Sequence, residues 1–105
     1  MLKIYAVVLD VVRGLKPVIA EIERKDPDLA RQMRRAVSSV ALNLSEGSYS
    51  RGRNRGARYH TAMGSMRETL SCIEVSVALG YVESVEPTLL GWIDHVLGTL
   101  FKLSA

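Results

Sequence analysis

The sequence predicts an all-α fold, an antiparallel up-down-up-down four-helix bundle in one domain over residues 1–105. Three observations predict it. Apolar residues return every third or fourth position in four segments, the period of a helix with a buried side. Proline and glycine fall where those segments should begin or end. No segment alternates apolar and polar residues as a half-buried strand would. Short links between such helices make chain neighbours antiparallel.

The first helix is expected over about residues 2–25. Tyr5, Val8, Leu9, Val12, Leu15, Ile19 and Ile22 form its stripe, and Lys3, Asp10, Arg13, Lys16, Glu21, Glu23 and Arg24 fill the other side. Pro17 lies inside it. A proline there removes one hydrogen bond and crowds the carbonyl of Arg13, so a kink or break is expected near Gly14–Lys16. The pattern continues in phase beyond Pro17, which favours a kink.

Asp26-Pro27 reads as the start of the second helix. Asp26 can accept from free amide groups as N-cap, and Pro27 at the first helical position loses nothing. This helix is expected over residues 27–47, with Leu29, Met33, Ala36, Val37, Val40 and Leu44 inward and Gly47 as the place where the chain turns. Residues 48–56 carry arginine, glycine and serine without an apolar repeat and read as a loop.

The third helix is expected over residues 57–79. Its main stripe is Tyr59, Ala62, Met63, Met66, Leu70, Ile73 and Val77, while Gly64, Glu68, Cys72, Val75 and Leu79 align on the other side. Gly80 can take the left-handed conformation that closes it. The fourth helix is expected over residues 86–104, with Ser84 or Glu86 as cap and Pro87 in the first turn. Leu89, Ile93, Val96, Leu97, Leu100 and Leu103 line it, flanked by Trp92 and Phe101.

Charge is uneven along the chain. Residues 31–67 hold eight arginines against Glu46 alone, whereas residues 68–105 hold Lys102 against five acids, so the overall net charge of +3 conceals two opposed regions. A basic centre suits an anionic partner such as RNA or DNA. It also suits an acidic surface on a second copy. Cys72 is the single cysteine, which rules out an intrachain disulfide and fits a reducing compartment. The N-terminal residues lack a basic leader and a small-residue cleavage site, and no stretch is apolar enough to span a bilayer. A cytoplasmic protein with no membrane partner is expected.

Arg51, Arg53, Arg55 and Arg58 are the candidate nucleic-acid-binding residues, since guanidinium groups on a loop contact phosphate well. Tyr49 and Tyr59 are the aromatic side chains near them. The other reading of these arginines is a solvated loop, or one docked on an acidic neighbour. Asn43, Glu46, Ser65 and Glu68 can form a small polar site or a hydrogen-bonded network that fixes helix register or subunit contacts. The network is favoured, because no nucleophile or metal-ligand pattern accompanies them. A di-iron bundle needs Glu three residues before each histidine, but Ala57 and Trp92 stand before His60 and His95. No catalytic, cofactor or metal residue is therefore assigned.

One four-helix core cannot cover both faces of the third helix, nor Leu42 beside Arg35 and Glu46 on the second. Left bare, these faces would form a large apolar patch. A homo-oligomer is expected, with Arg35, Glu68, Cys72, Val75 and Leu79 at or near the subunit boundary. Glu68 could meet Arg35 of another chain, and Cys72 would be an interface thiol. A contact between unlike surfaces that closes on itself makes a ring.

The run Ser38-Ser39-Val40-Ala41-Leu42-Asn43-Leu44-Ser45-Glu46-Gly47-Ser48 precedes the arginine-rich segment. Ala62-Met63-Gly64-Ser65 with Glu68 follows, and then Leu79-Gly80-Tyr81. Together these resemble the bacterial "four helix bundle protein" family over nearly the whole chain. That family includes proteins encoded in intervening sequences of 23S ribosomal RNA genes. It is related to the accessory variability determinant proteins of diversity-generating retroelements. The resemblance implies an antiparallel bundle assembled as a ring-shaped homopentamer, with no enzymatic activity. It implies a scaffold that binds nucleic acid or serves a reverse transcriptase as accessory. The alternative is a protein-interaction module with no nucleic-acid role.

Overall fold

A computed structural model describes residues 2–104. They form α1 (Lys3–Glu23), α2 (Pro27–Ser48), α3 (Arg53–Ala78) and α4 (Pro87–Leu103), with no strand among the described residues. Each helix packs on its chain neighbours, and α4 closes back on α1. The packing between α2 and α3 is the most extensive. Diagonal helices scarcely meet, as a square antiparallel bundle requires. The molecule measures 43 × 25 × 19 Å.

In α1 the buried residues are Ile4, Val8, Val11, Leu15, Ile19 and Ile22. The first half of the stripe is therefore turned from the expected one, leaving Tyr5 and Val12 at the core's edge. That half is apolar nearly all round, so periodicity alone does not choose its inner side. The helix runs unbroken through Pro17, so of the kink or break expected there the break does not occur. Pro17 is exposed and is not part of the core. Pro17→Ala restores an amide donor at no packing cost, and should leave helicity unchanged and the denaturation midpoint equal or higher. A fall in far-UV CD would mean that the bundle needs the proline.

Asp26 caps α2 as expected: its Oδ1 accepts from the Leu29 amide at 3.0 Å, and Pro27 opens the helix. Gly47 does not serve as a turn. It lies inside α2, and among the described residues only Gly52 and Gly80 have positive φ. Gly47 is instead a point of close approach. A Cβ there would stand 2.5 Å from Cε1 and 2.8 Å from Cδ1 of Tyr59.

The third helix begins at Arg53, ahead of the expected Ala57, so much of the supposed loop is helical. Gly52, at φ 57°, makes the turn, and its carbonyl accepts from the amides of Arg55 and Gly56. Inside α3 the buried side is Tyr59, Ala62, Met63, Met66, Thr69, Cys72, Ile73 and Ser76. Leu70 lies at the core's edge, and Val77 is exposed. The expected stripe is thus rotated towards α2. Thr69 and Ser76 tolerate burial because each hydroxyl donates to a carbonyl of its own helix, Ser65 at 2.9 Å and Ile73 at 2.8 Å.

Gly80 closes α3 as expected, at φ 76°. Its amide donates to the Val77 carbonyl at 3.0 Å and that of Tyr81 to Ser76 at 2.8 Å, the paired bonds of a Schellman ending. Lys25 Nζ donates to the carbonyls of Gly80 and Tyr81, and the Tyr81 hydroxyl donates to Asp26 Oδ2 at 3.1 Å. These bonds tie the α1–α2 turn to the α3–α4 loop. In α4, Glu86 occupies the cap position without a side-chain cap bond, and Leu89, Ile93, Val96 and Leu100 are buried.

Candidate nucleic-acid interface

The α2–α3 turn stands at the end of the bundle opposite the Lys25–Asp26–Tyr81 tie. Backbone bonds shape it: the Tyr49 amide donates to the Glu46 carbonyl at 3.2 Å and that of Ser50 to Gly47 at 3.1 Å. Ser50 Oγ adds a bond to the Glu46 carbonyl at 2.8 Å. Arg55 Nε donates across the turn to the Ser50 carbonyl at 3.0 Å.

All four candidate arginines are exposed at this end. Arg51 lies in the turn, and Arg53, Arg55 and Arg58 lie in the opening turns of α3, rather than in a long loop. No acidic residue stands in that first turn. The ion pairs among the described residues join Arg13 to Asp10, Arg31 to Asp28 and Arg34 to Glu23, so none neutralises these four. The amide groups of a helix start add partial positive charge.

The expected polar network forms only in part. Ser39 Oγ and Ser65 Oγ lie 2.8 Å apart, and Asn43 Nδ2 donates to the carbonyl and the Oγ of Ser39, each at 3.0 Å. Arg58 Nη1 donates to Asn43 Oδ1 at 3.2 Å. One arginine of the basic end is thereby fixed to the α2–α3 seam, a link that the sequence did not reveal. Glu46 is exposed, and only its carbonyl takes part in the turn. Glu68 is further down, where Gln32 Nε2 donates to its Oε2 at 3.4 Å. Glu68 and Arg35 line one shallow cleft with Asp28, Arg31 and Gln32, of about 340 Å³. The two border the same cleft within one chain, and no ion pair joins them.

Cys72 is not on the outward face. It is 3% exposed and belongs to the core, which corrects its expected place at a subunit boundary. The physical reason is the rotation of α3 that also buries Thr69 and Ser76. Burial, and then the charge of Glu68, push its thiol above the ordinary range. Val75, at 45%, Leu79, at 58%, and Leu42, at 66%, are exposed as expected. Tyr59, expected as aromatic support for the arginines, is buried at 4%, and only Tyr49 stands free beside them. His60 and His95 are exposed. Among the described residues no three His, Cys, Asp or Glu side chains gather closely enough to hold a metal ion. No helix among them is long and apolar enough to cross a membrane.

In comparisons with known proteins, the family model described as 23S rRNA-intervening sequence protein matches residues 2–95. The match takes in α1, α2, α3 and the first half of α4. No curated protein and no solved structure is matched.

Proposed function

The chain belongs to the 23S rRNA-intervening sequence protein family, and from that premise we propose a non-enzymatic, homo-oligomeric scaffold whose basic end binds nucleic acid. The observation that carries this reading is the gathering of Arg51, Arg53, Arg55 and Arg58, exposed and without acidic partners, at one end of the bundle. Guanidinium groups so placed meet phosphate oxygens without first breaking an ion pair. A reverse transcriptase is the protein partner that suits an accessory scaffold of this kind.

The test is an anisotropy titration with labelled RNA and DNA oligomers at several salt concentrations. Wild type should bind with log K falling as log salt rises. Replacing all four arginines with Ala should weaken binding and flatten the slope by about 0.7 for each lost single-strand phosphate contact. Salt-insensitive binding, or binding untouched by the four substitutions, would remove the nucleic-acid role.

A second reading, a protein-interaction module with no nucleic-acid role, draws support from exposed Leu42, Val75 and Leu79. The same side chains support self-assembly, since a basic surface from residues 31–67 can meet an acidic one from residues 68–105 on the next copy. We take a pentameric ring as the expected assembly. Light scattering at micromolar concentration should give a mass well above one chain. Val75→Arg should lower that mass while far-UV CD stays helical. A monomeric wild type, or an unchanged assembly in the variant, would overturn the assembly.

A further inference from the structure

We propose that Tyr49 is a stacking platform for an unpaired base, so that the basic end selects single-stranded over double-stranded nucleic acid. This rests on the nucleic-acid reading above and names the form of ligand that the same site takes.

Tyr49 is 80% exposed, the most exposed of the large apolar side chains among the described residues. It caps the C-terminus of α2 through its backbone, and its side chain is not among those buried or half-buried in the core. The fold therefore gives no packing reason for an aromatic side chain there. Its neighbours are basic: Arg51 follows in the same turn, and Arg53 and Arg55 open the next helix. Arg55 is held to Ser50 through Nε, which leaves its two Nη groups to donate to a phosphate. The hydrogen bonds of Tyr49 and Ser50 to the last turn of α2 fix the backbone of the turn from which the ring extends.

An open aromatic ring flanked by guanidinium groups matches a strand whose bases are unstacked. Each base then offers a π-face to the ring while its phosphates meet the arginines. In a duplex the base faces are already covered by their neighbours, and a ring at a turn finds only edges and phosphates. Stacking is indifferent to the sugar, so single-stranded RNA and DNA are both accepted.

The experiment compares labelled 15-mers of U and of dT with a 15-base-pair duplex over one matched series of salt concentrations. Wild type should bind either single strand at least several-fold more tightly than the duplex. Tyr49→Ala should weaken single-strand binding about tenfold or more, leave duplex binding within twofold, and leave the salt slope unchanged, because no charge is removed. Tyr49→Phe should behave as wild type. The variants should fold normally, since the ring supports no core.

If Tyr49→Ala binds the single strands as well as wild type does, or if wild type prefers the duplex, the stacking role is overturned. The arginine reading then stands on its own test. A fall in assembly mass with single-strand binding intact would place Tyr49 in a subunit contact and also overturn the proposal. Failure of wild type to bind any of the three at low salt removes both readings.

Discussion

Gly47→Ala is expected to destabilise the bundle by about 1–2 kcal/mol net, although alanine is the better helix former. Two effects of opposite sign compete at this position. Gly47 has ordinary helical geometry, so added helix propensity would contribute up to about 1 kcal/mol in favour of alanine. Against it stands the ring of Tyr59, 2.5 Å from the new methyl, and Arg58 Cβ at 3.2 Å. Overpacking of this kind costs about 1–3 kcal/mol, sometimes more. The ring is buried and cannot swing into solvent, so the two helices must part or the ring must leave its rotamer.

Urea denaturation gives the sign directly, and a variant at least as stable as wild type would show that Tyr59 yields freely. The cause is checked by a double-mutant cycle. Tyr59→Leu alone should cost stability through the space it leaves, but in its presence Gly47→Ala should become nearly neutral.

The second large effect is expected at Asp26. One carboxylate does two tasks: Oδ1 caps α2 at the Leu29 amide, and Oδ2 accepts from the hydroxyl of Tyr81 across the end of the molecule. Asp26→Ala should lose about 1–2 kcal/mol from the cap alone, and the loss of the link to Tyr81 adds to that. Asp26→Asn, which can still cap, should fall between the two proteins. If Ala and Asn variants denature together with wild type, the carboxylate is not holding the turn.

The same pair gives a pH dependence. The hydrogen bond to Asp26, then desolvation and the carboxylate's charge, push the Tyr81 phenol above its ordinary value. The folded state therefore favours the protonated phenol. Its contribution is complete below the unfolded pKa, about 10, and is lost as pH rises through the higher folded value. Denaturation midpoints measured up to pH 11 should fall more steeply for wild type than for Tyr81→Phe.

Much of the fold was legible in the sequence because its signals are local. The Asp26-Pro27 start, the left-handed Gly80 and the 3.6-residue period each depend on a few adjacent residues. The inner side of α3 was not legible, since apolar and small residues occur on both of its faces and a wheel gives no reason to prefer Cys72 and Ser76 to Val77. The start at Arg53 was hidden for another reason. The first turn of that helix buries nothing and has no side-chain cap, so neither periodicity nor capping marks it. Gly47 was misread because a glycine at a helix end suggests a turn, whereas its reason lies on Tyr59 in another helix. The ties from Lys25 and Asp26 to residues 80 and 81 join groups far apart in the chain and carry no local signature. At the candidate site, the arginines were visible as a cluster, but the separation of Tyr49 from Tyr59 into open and buried rings required the packed structure.

The arginine-rich start of α3 also couples ionic strength to stability. Arg53 and Arg55 lie at the positive pole of their own helix with no acid in the first turn, an arrangement that repels itself. Added salt should relax that repulsion, because at 0.1 M the screening length is about 10 Å. The unliganded protein should therefore gain thermal stability as salt rises, over the range in which the proposed binding of a polyanion would weaken. A bound strand would take the place of the salt, raising the melting temperature most where ionic strength is lowest. Salt thus acts with opposite sign on the empty and the occupied protein.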